Sequence, residues 1–388
     1  MMKPYSTVNV RRRRPDPDAA STCTGYRVWM VPSSRSRRRV HVRRRRAVGG
    51  AALILLAVVG VLVADVGHRH SAVPSATSRP NDLTTTTSTS PPHPPFAVGT
   101  LTLTLTEPAG PSGAVRTLPT IVRYPAIGAM SSRNQAGGTP DRAGGPYPLV
   151  IFSEGYDISP EAYATLLDAW TVAGYVVADP VYPFTAPTSP GGLIRSDIVN
   201  HPADLTFVIS SMLADSAAGS GTLTGMIDSH EVGVIGHSDG GDVSLAVASN
   251  TCCRNSLVKA AIILSGAELA WFPGTYYSPP AVPLLAVQGS NDTINPPSCS
   301  VQLYNQAPQP KYFLSLAGQT HTSAYTQAGQ PLDVVAQVTT DFLNGYLKGS
   351  TAAIGALVAD GTVPNLASLT DAPSVPPNDQ PCPDAPAS

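Results

Sequence analysis

One stretch constrains this chain more than any other. Val232-Gly233-Val234-Ile235 reads as a short buried strand, and it runs directly into Gly236-His237-Ser238-Asp239-Gly240. Glycines two before and two after a serine leave room for a sharp strand-to-helix turn that lifts the hydroxyl clear of a sheet. The pentapeptide alone is a weak signal, because a chain with 33 glycines can produce it by accident. Its flanks strengthen it: Val243, Leu245, Ala246 and Val247 suit a helix packed on a sheet. The competing reading is a Gly/Ser surface turn.

A serine nucleophile needs a base, and the base needs an acid to orient it. Leu284 to Gly289 reads as a strand running into the turn-rich loop Ser290-Asn291-Asp292-Thr293-Ile294-Asn295-Pro296. Lys311 to Leu316 reads as another strand, followed by Ala317-Gly318-Gln319-Thr320-His321. Of the eight histidines only His321 follows Asp292. Serine, then acid, then histidine, each at a strand end, is the order of one large class of serine hydrolases. Taken singly, Asp292 reads equally as a cap for a helix starting near Pro296 and His321 as a solvated loop histidine.

Strands are expected near 100–106, 115–124, 148–153, 175–179, 231–236, 258–264, 282–288 and 311–316. Helices are expected near 159–173, 200–214, 239–249, 296–306 and 332–347. Strands alternating with helices argue an α/β fold: a mostly parallel eight-stranded sheet, antiparallel at its start, with helices on both faces. The segment from Leu264 to Val282 is too short for a large cap domain. Its Trp271, Phe272, Tyr276 and Tyr277 are candidates for the wall of a substrate pocket, or simple loop anchors.

Charge is strongly segregated. Residues 1–46 hold 14 of the 25 Lys and Arg and only two acids, Asp16 and Asp18, so the rest of the chain is acidic. An acidic catalytic part argues against nucleic acid as a partner. The basic head, expected to be disordered, abuts Ala47 to Ala64, 18 residues without a charge. That run is long enough for a transmembrane segment, taken as 47–66, and Arg43-Arg44-Arg45-Arg46 on its flank predicts that the head stays in the cytoplasm. The catalytic part then lies outside, on a signal anchor or free after signal cleavage. Residues 67–97 form a Ser/Thr/Pro-rich linker, 98–370 a catalytic domain, and 371–388 a Pro/Asp-rich tail expected to be disordered. Cys252, Cys253, Cys299 and Cys382 fall in the exported part, where disulfides persist; their pairing is left open, and a zinc site is disfavoured by the adjacent pair.

From about Val98 to Leu369 the chain resembles the α/β-hydrolase superfamily, in particular its secreted platelet-activating-factor acetylhydrolase-like, dienelactone-hydrolase-like and cutinase-like polyester hydrolases. The residues that carry the resemblance include Arg123-Tyr124-Pro125-Ala126, Pro148 to Tyr156, Ala173-Gly174-Tyr175, Asn200-His201-Pro202-Ala203-Asp204, the serine turn and the two loops after it. The resemblance implies a Ser238, Asp292 and His321 triad that hydrolyses a small-molecule or lipid ester without metal or cofactor, in a monomer. It implies an oxyanion hole from the backbone N–H groups of Asp239 and Tyr156, with Tyr156 also able to stack on substrate. The departure is Glu154, where relatives usually carry histidine; a structural role is the favoured reading. The alternatives are a catalytically silent fold used for binding at the cell envelope, or lactone or peptide cleavage on the same fold.

Overall fold

The strand Tyr147–Ser153 is buried at all seven positions. Its Leu149 and Ile151 join one hydrophobic core, and its Val150 and Phe152 join a second on the opposite side. Side chains alternate across a strand, so a strand apolar at every position must be covered on both faces. The computed structural model describes residues 95–110, 113–377 and 379–383.

Ten strands form one sheet: β1 Ala97–Glu107, β2 Arg116–Ala126, β3 Gln135–Ala136, β4 Tyr147–Ser153, β5 Val176–Pro180, β6 Ile227–His237, β7 Val258–Leu264, β8 Leu284–Gly289, β9 Lys311–Leu316 and β10 Ala367–Thr370. Their order is β10-β9-β8-β7-β6-β4-β5-β2-β1-β3. The run from β9 to β5 is parallel throughout, while β2 joins β5, β1 joins β2 and β10 joins β9 antiparallel. The helices are α1 Ala164–Val172, α2 His201–Ala217, α3 Asp239–Ser249, α4 Pro297–Gln306, α5 Ser323–Thr326, α6 Gln330–Leu347 and α7 Thr351–Asp360. Side chains of α2, α3 and α4 fill the first core; those of α1, α5, α6 and α7 fill the second. This is the α/β-hydrolase fold, and β6 with its following helix α3 lies at its centre.

The eight expected strands are all present, and the sheet gains β3 and β10 at its two edges. Two and four residues are too few to show an alternating pattern. The unexpected helix α7 has an apolar sequence with only Leu357 buried, so it carries no stripe of period 3.6 to read.

Residues 371–377 and 379–383 of the expected tail lie among the described residues. Cys382 is bridged to Cys299 on α4, Ser298 Oγ donates to the Gln380 carbonyl, and Tyr304 Oη donates to the Asp371 carbonyl. The first turn of α4 starts at prolines and lacks a side-chain cap of its own. Asp379 supplies one, its carboxylate accepting the Ser298 N–H at 2.6 Å. The other bridge joins the neighbours Cys252 and Cys253. The basic head and the apolar segment 47–66 lie outside the described residues, among which no helix is long and apolar enough to cross a membrane.

Candidate active site

At the end of β6 the backbone makes the turn that the glycine spacing requires. Ser238 sits at φ 55°, ψ −128°, a region costly for a residue with a Cβ, and α3 begins at the next residue. A methyl group on Gly236 would strike the backbone of Gly240, and one on Gly240 would strike the Ser153 carbonyl of β4. Both glycines are therefore required by close approach of backbone to backbone.

Three strand ends bring their side chains together. Ser238 Oγ lies 2.7 Å from His321 Nε2, and His321 Nδ1 lies 2.8 Å from Asp292 Oδ2. A carboxylate can only accept, so Nδ1 carries the imidazole proton and Nε2 is left to accept from the serine hydroxyl. The other carboxylate oxygen of Asp292 accepts the N–H groups of Ile294 at 2.9 Å and Asn295 at 3.0 Å. Burial opposes the charge on Asp292, but the hydrogen bond and charge of His321 outweigh it, together with the Ile294 N–H, and its pKa is lowered. The helix cap suggested for Asp292 is supplied by Asp379 instead.

Behind the serine a second chain of hydrogen bonds links two loops. His237 Nε2 is 2.7 Å from the His321 carbonyl, which can only accept, so the proton is on Nε2. His237 Nδ1 therefore accepts from Tyr163 Oη at 2.8 Å, and Tyr163 in turn accepts the Gly155 N–H at 3.3 Å. Complete burial, followed by the neighbouring His321, lowers the His237 pKa to about 3. The bridging role of His237 depends on partners 74 and 84 residues away, which no local pattern in the sequence shows.

The proposed oxyanion donors sit beside the serine. Asp239 is the first residue of α3, so its N–H has no acceptor within the helix. A Cβ added to Gly155 would lie 3.2 Å from Ser238 Cβ, so the loop carrying Tyr156 passes directly against the Ser238 side chain. Tyr156 is half-buried. Glu154 is an interior group, 4% exposed, and its pKa is raised well above the usual range by burial and then by the neighbouring Asp179.

The candidate wall residues divide. Phe272 is buried in the first core, Tyr276 Oη bonds the backbone of Leu269, and Tyr277 Oη bonds the Leu303 carbonyl, so these three anchor the loop. For Phe272 this burial fits the loop-anchor reading of the segment. Trp271 remains 40% exposed, with the Arg195 guanidinium 5.3 Å from its ring centre. Arg195, which the sequence did not single out, also grips the Asp239 carboxylate through Nε at 2.9 Å and Nη2 at 2.8 Å. These partners are 44 residues apart, and no local pattern links them. Among the described residues no group of three or more His, Cys, Asp or Glu is arranged to hold a metal ion.

No curated protein matches the chain. A family model described as PETase: PET hydrolase-like matches residues 198–352, less than half of the chain but the part that holds Ser238, Asp292 and His321. The protein thus has the α/β-hydrolase fold, and across residues 198–352 it is similar to the PET hydrolase-like family.

Proposed function

We propose that the protein is a serine-dependent hydrolase of carboxylic esters. The observation that carries this reading is the continuous hydrogen-bonded line from Ser238 through His321 to the buried Asp292. The PET hydrolase-like match supports an ester as the substrate. His321 Nε2 takes the hydroxyl proton while Ser238 Oγ attacks the ester carbonyl, and Asp292 holds the imidazole tautomer and stabilises its cation. The N–H groups of Asp239 and Tyr156 receive the negative oxygen of the tetrahedral intermediate. His321 then protonates the leaving alcohol, and water releases the acyl group by the same steps in reverse. Exposed Leu193, Ile194, Trp271 and Ile294 stand on loops at the carboxyl ends of the strands, which favours an apolar ester.

The same reading puts the enzyme outside the cytoplasm. Two disulfides suit an oxidising compartment. The uncharged run Ala47 to Ala64 behind four arginines is the proposed anchor. Protease added to intact cells should then release an active fragment, whereas full-length enzyme in the cytosol would refute this location.

The test of the activity is hydrolysis of p-nitrophenyl esters of increasing chain length, with labelling by a fluorophosphonate. Ser238→Ala should lose both turnover and label while keeping the folded circular dichroism spectrum. Undiminished turnover by this variant would remove Ser238 from its role, and absence of turnover and label in the wild type would favour a silent binding fold.

A further inference from the structure

Asp239 has two parts that pull in opposite directions. Its backbone N–H is the proposed donor to the developing oxyanion, while its carboxylate carries a full negative charge one residue from the nucleophile. An uncompensated anion in that position opposes the negative charge that the reaction must build.

Arg195 answers that charge with good geometry. Its Nε and Nη2 donate to the two oxygens of Asp239, a fork-on-fork pair, and the carboxylate side chain is only 8% exposed. An exposed ion pair contributes little, but a two-pronged pair on a nearly buried carboxylate is a stronger case. The guanidinium carbon lies over the Trp271 ring, 5.3 Å from its centre.

The segment that carries Arg195 is itself held. Arg195 opens a short 3-10 turn, Arg195–Asn200, whose Asp197 accepts from Arg116 of β2 at 2.6 Å. The same Arg116 holds Asp204 of α2 at 2.6 Å, and the Ile194 N–H donates to the Phe184 carbonyl at 2.6 Å. A backbone hydrogen bond before Arg195 and a buried ion network after it thus hold the loop on both sides.

We infer that Arg195 is a positioning residue for the ester hydrolysis proposed above, balancing the Asp239 charge beside the oxyanion and bracing Trp271 at the same edge of the site. The inference rests on that proposal. Arg195→Gln removes the charge and the group that lies over Trp271 while keeping the first carbons of the stem. With a neutral p-nitrophenyl ester it should lower kcat about tenfold, equivalent to about 1.4 kcal/mol in the barrier, with KM changed less than about twofold.

The deciding measurement is a double-mutant cycle. In an Asp239→Asn background the carboxylate is gone, so Arg195→Gln should cost less than about twofold. Ethylguanidinium ion should restore part of the kcat of the Arg195→Gln single variant and none in the Asp239→Asn background. An unchanged kcat in the single variant overturns the inference, as does an equal loss in both backgrounds, which is the mark of a purely structural role. If Arg195→Gln does not fold, Arg195→Lys takes its place, with a smaller loss expected from a point charge and the same dependence on the Asp239 background. Fluorophosphonate labelling of Ser238 in every variant separates failure of the inference from failure of the proposed activity.

Discussion

The buried imidazole of His237 makes a measurable demand on pH. In the folded protein its pKa is about 3, against an ordinary 6.5, because burial and the adjacent His321 disfavour the cation. The sign follows from linkage: above pH 6.5 both folded and unfolded chains hold it neutral, and it contributes no pH dependence. Below that pH the unfolded chain binds a proton that the folded chain refuses, so stability falls as pH falls. Each pH unit costs about 1.4 kcal/mol, so by pH 4.5 the loss is about 2.7 kcal/mol, and it levels off near 5 kcal/mol below about pH 3. Glu154, Asp179 and Asp341 act in the opposite sense, because burial raises their pKa values and the folded chain binds their protons more readily. The total slope is therefore a difference, and a variant isolates the histidine. His237→Gln retains an amide donor and acceptor but cannot titrate. Urea unfolding of both proteins from pH 7.5 to 4.5 should show the wild type losing about 2–3 kcal/mol more than the variant over that span. Parallel slopes would refute the assignment of a buried neutral imidazole.

Other consequences are open to measurement. Asp292→Asn should lower kcat by about three to four orders of magnitude through the wrong imidazole tautomer, and Asp239→Asn should cost far less because its backbone N–H remains; steady-state kinetics giving the reverse ranking would displace Asp292 as the acid. Gly240→Ala should abolish both activity and native melting, since its methyl group would fall on the backbone carbonyls of Ser153 and Glu154. Cys382→Ser opens a bridge spanning 83 residues and should lower unfolding free energy by about 2–4 kcal/mol. Cys253→Ser, which opens no loop of chain, should cost much less in the same urea titration.

The parts of the site visible in the sequence are those written in local patterns. The apolar runs Val232 to Ile235 and Leu284 to Val287, and Tyr312-Phe313-Leu314 within β9, located the strand ends that Ser238, Asp292 and His321 follow. The glycines around Ser238 were equally legible because a tight turn and close backbone contact leave no other choice. What escaped depends on residues distant in the chain. Nothing near His237 shows that Tyr163 and the His321 carbonyl will flank its ring, and nothing near Arg195 points to Asp239. Nothing in the Pro- and Asp-rich composition of residues 371–388 shows that Asp379 will cap a helix 81 residues earlier. Phe272 and Trp271 are neighbours in an aromatic loop, and only the packing of that loop decides that one turns inward and the other stays at the surface.

The bridge between Cys299 and Cys382 has a consequence for how the chain can be handled. It closes a covalent ring that contains β9, His321, α6, α7 and β10, while Ser238 and Asp292 lie outside it. A protease nick in the stretch from Asp371 to Pro381 would leave both pieces joined through sulfur, and a gel would show the cut only after reduction. A fusion partner or surface tether attached after Cys382 would transmit its load to the first turn of α4, which starts five residues beyond Asp292. Such attachments should be judged by whether the acid of the proposed triad keeps its place.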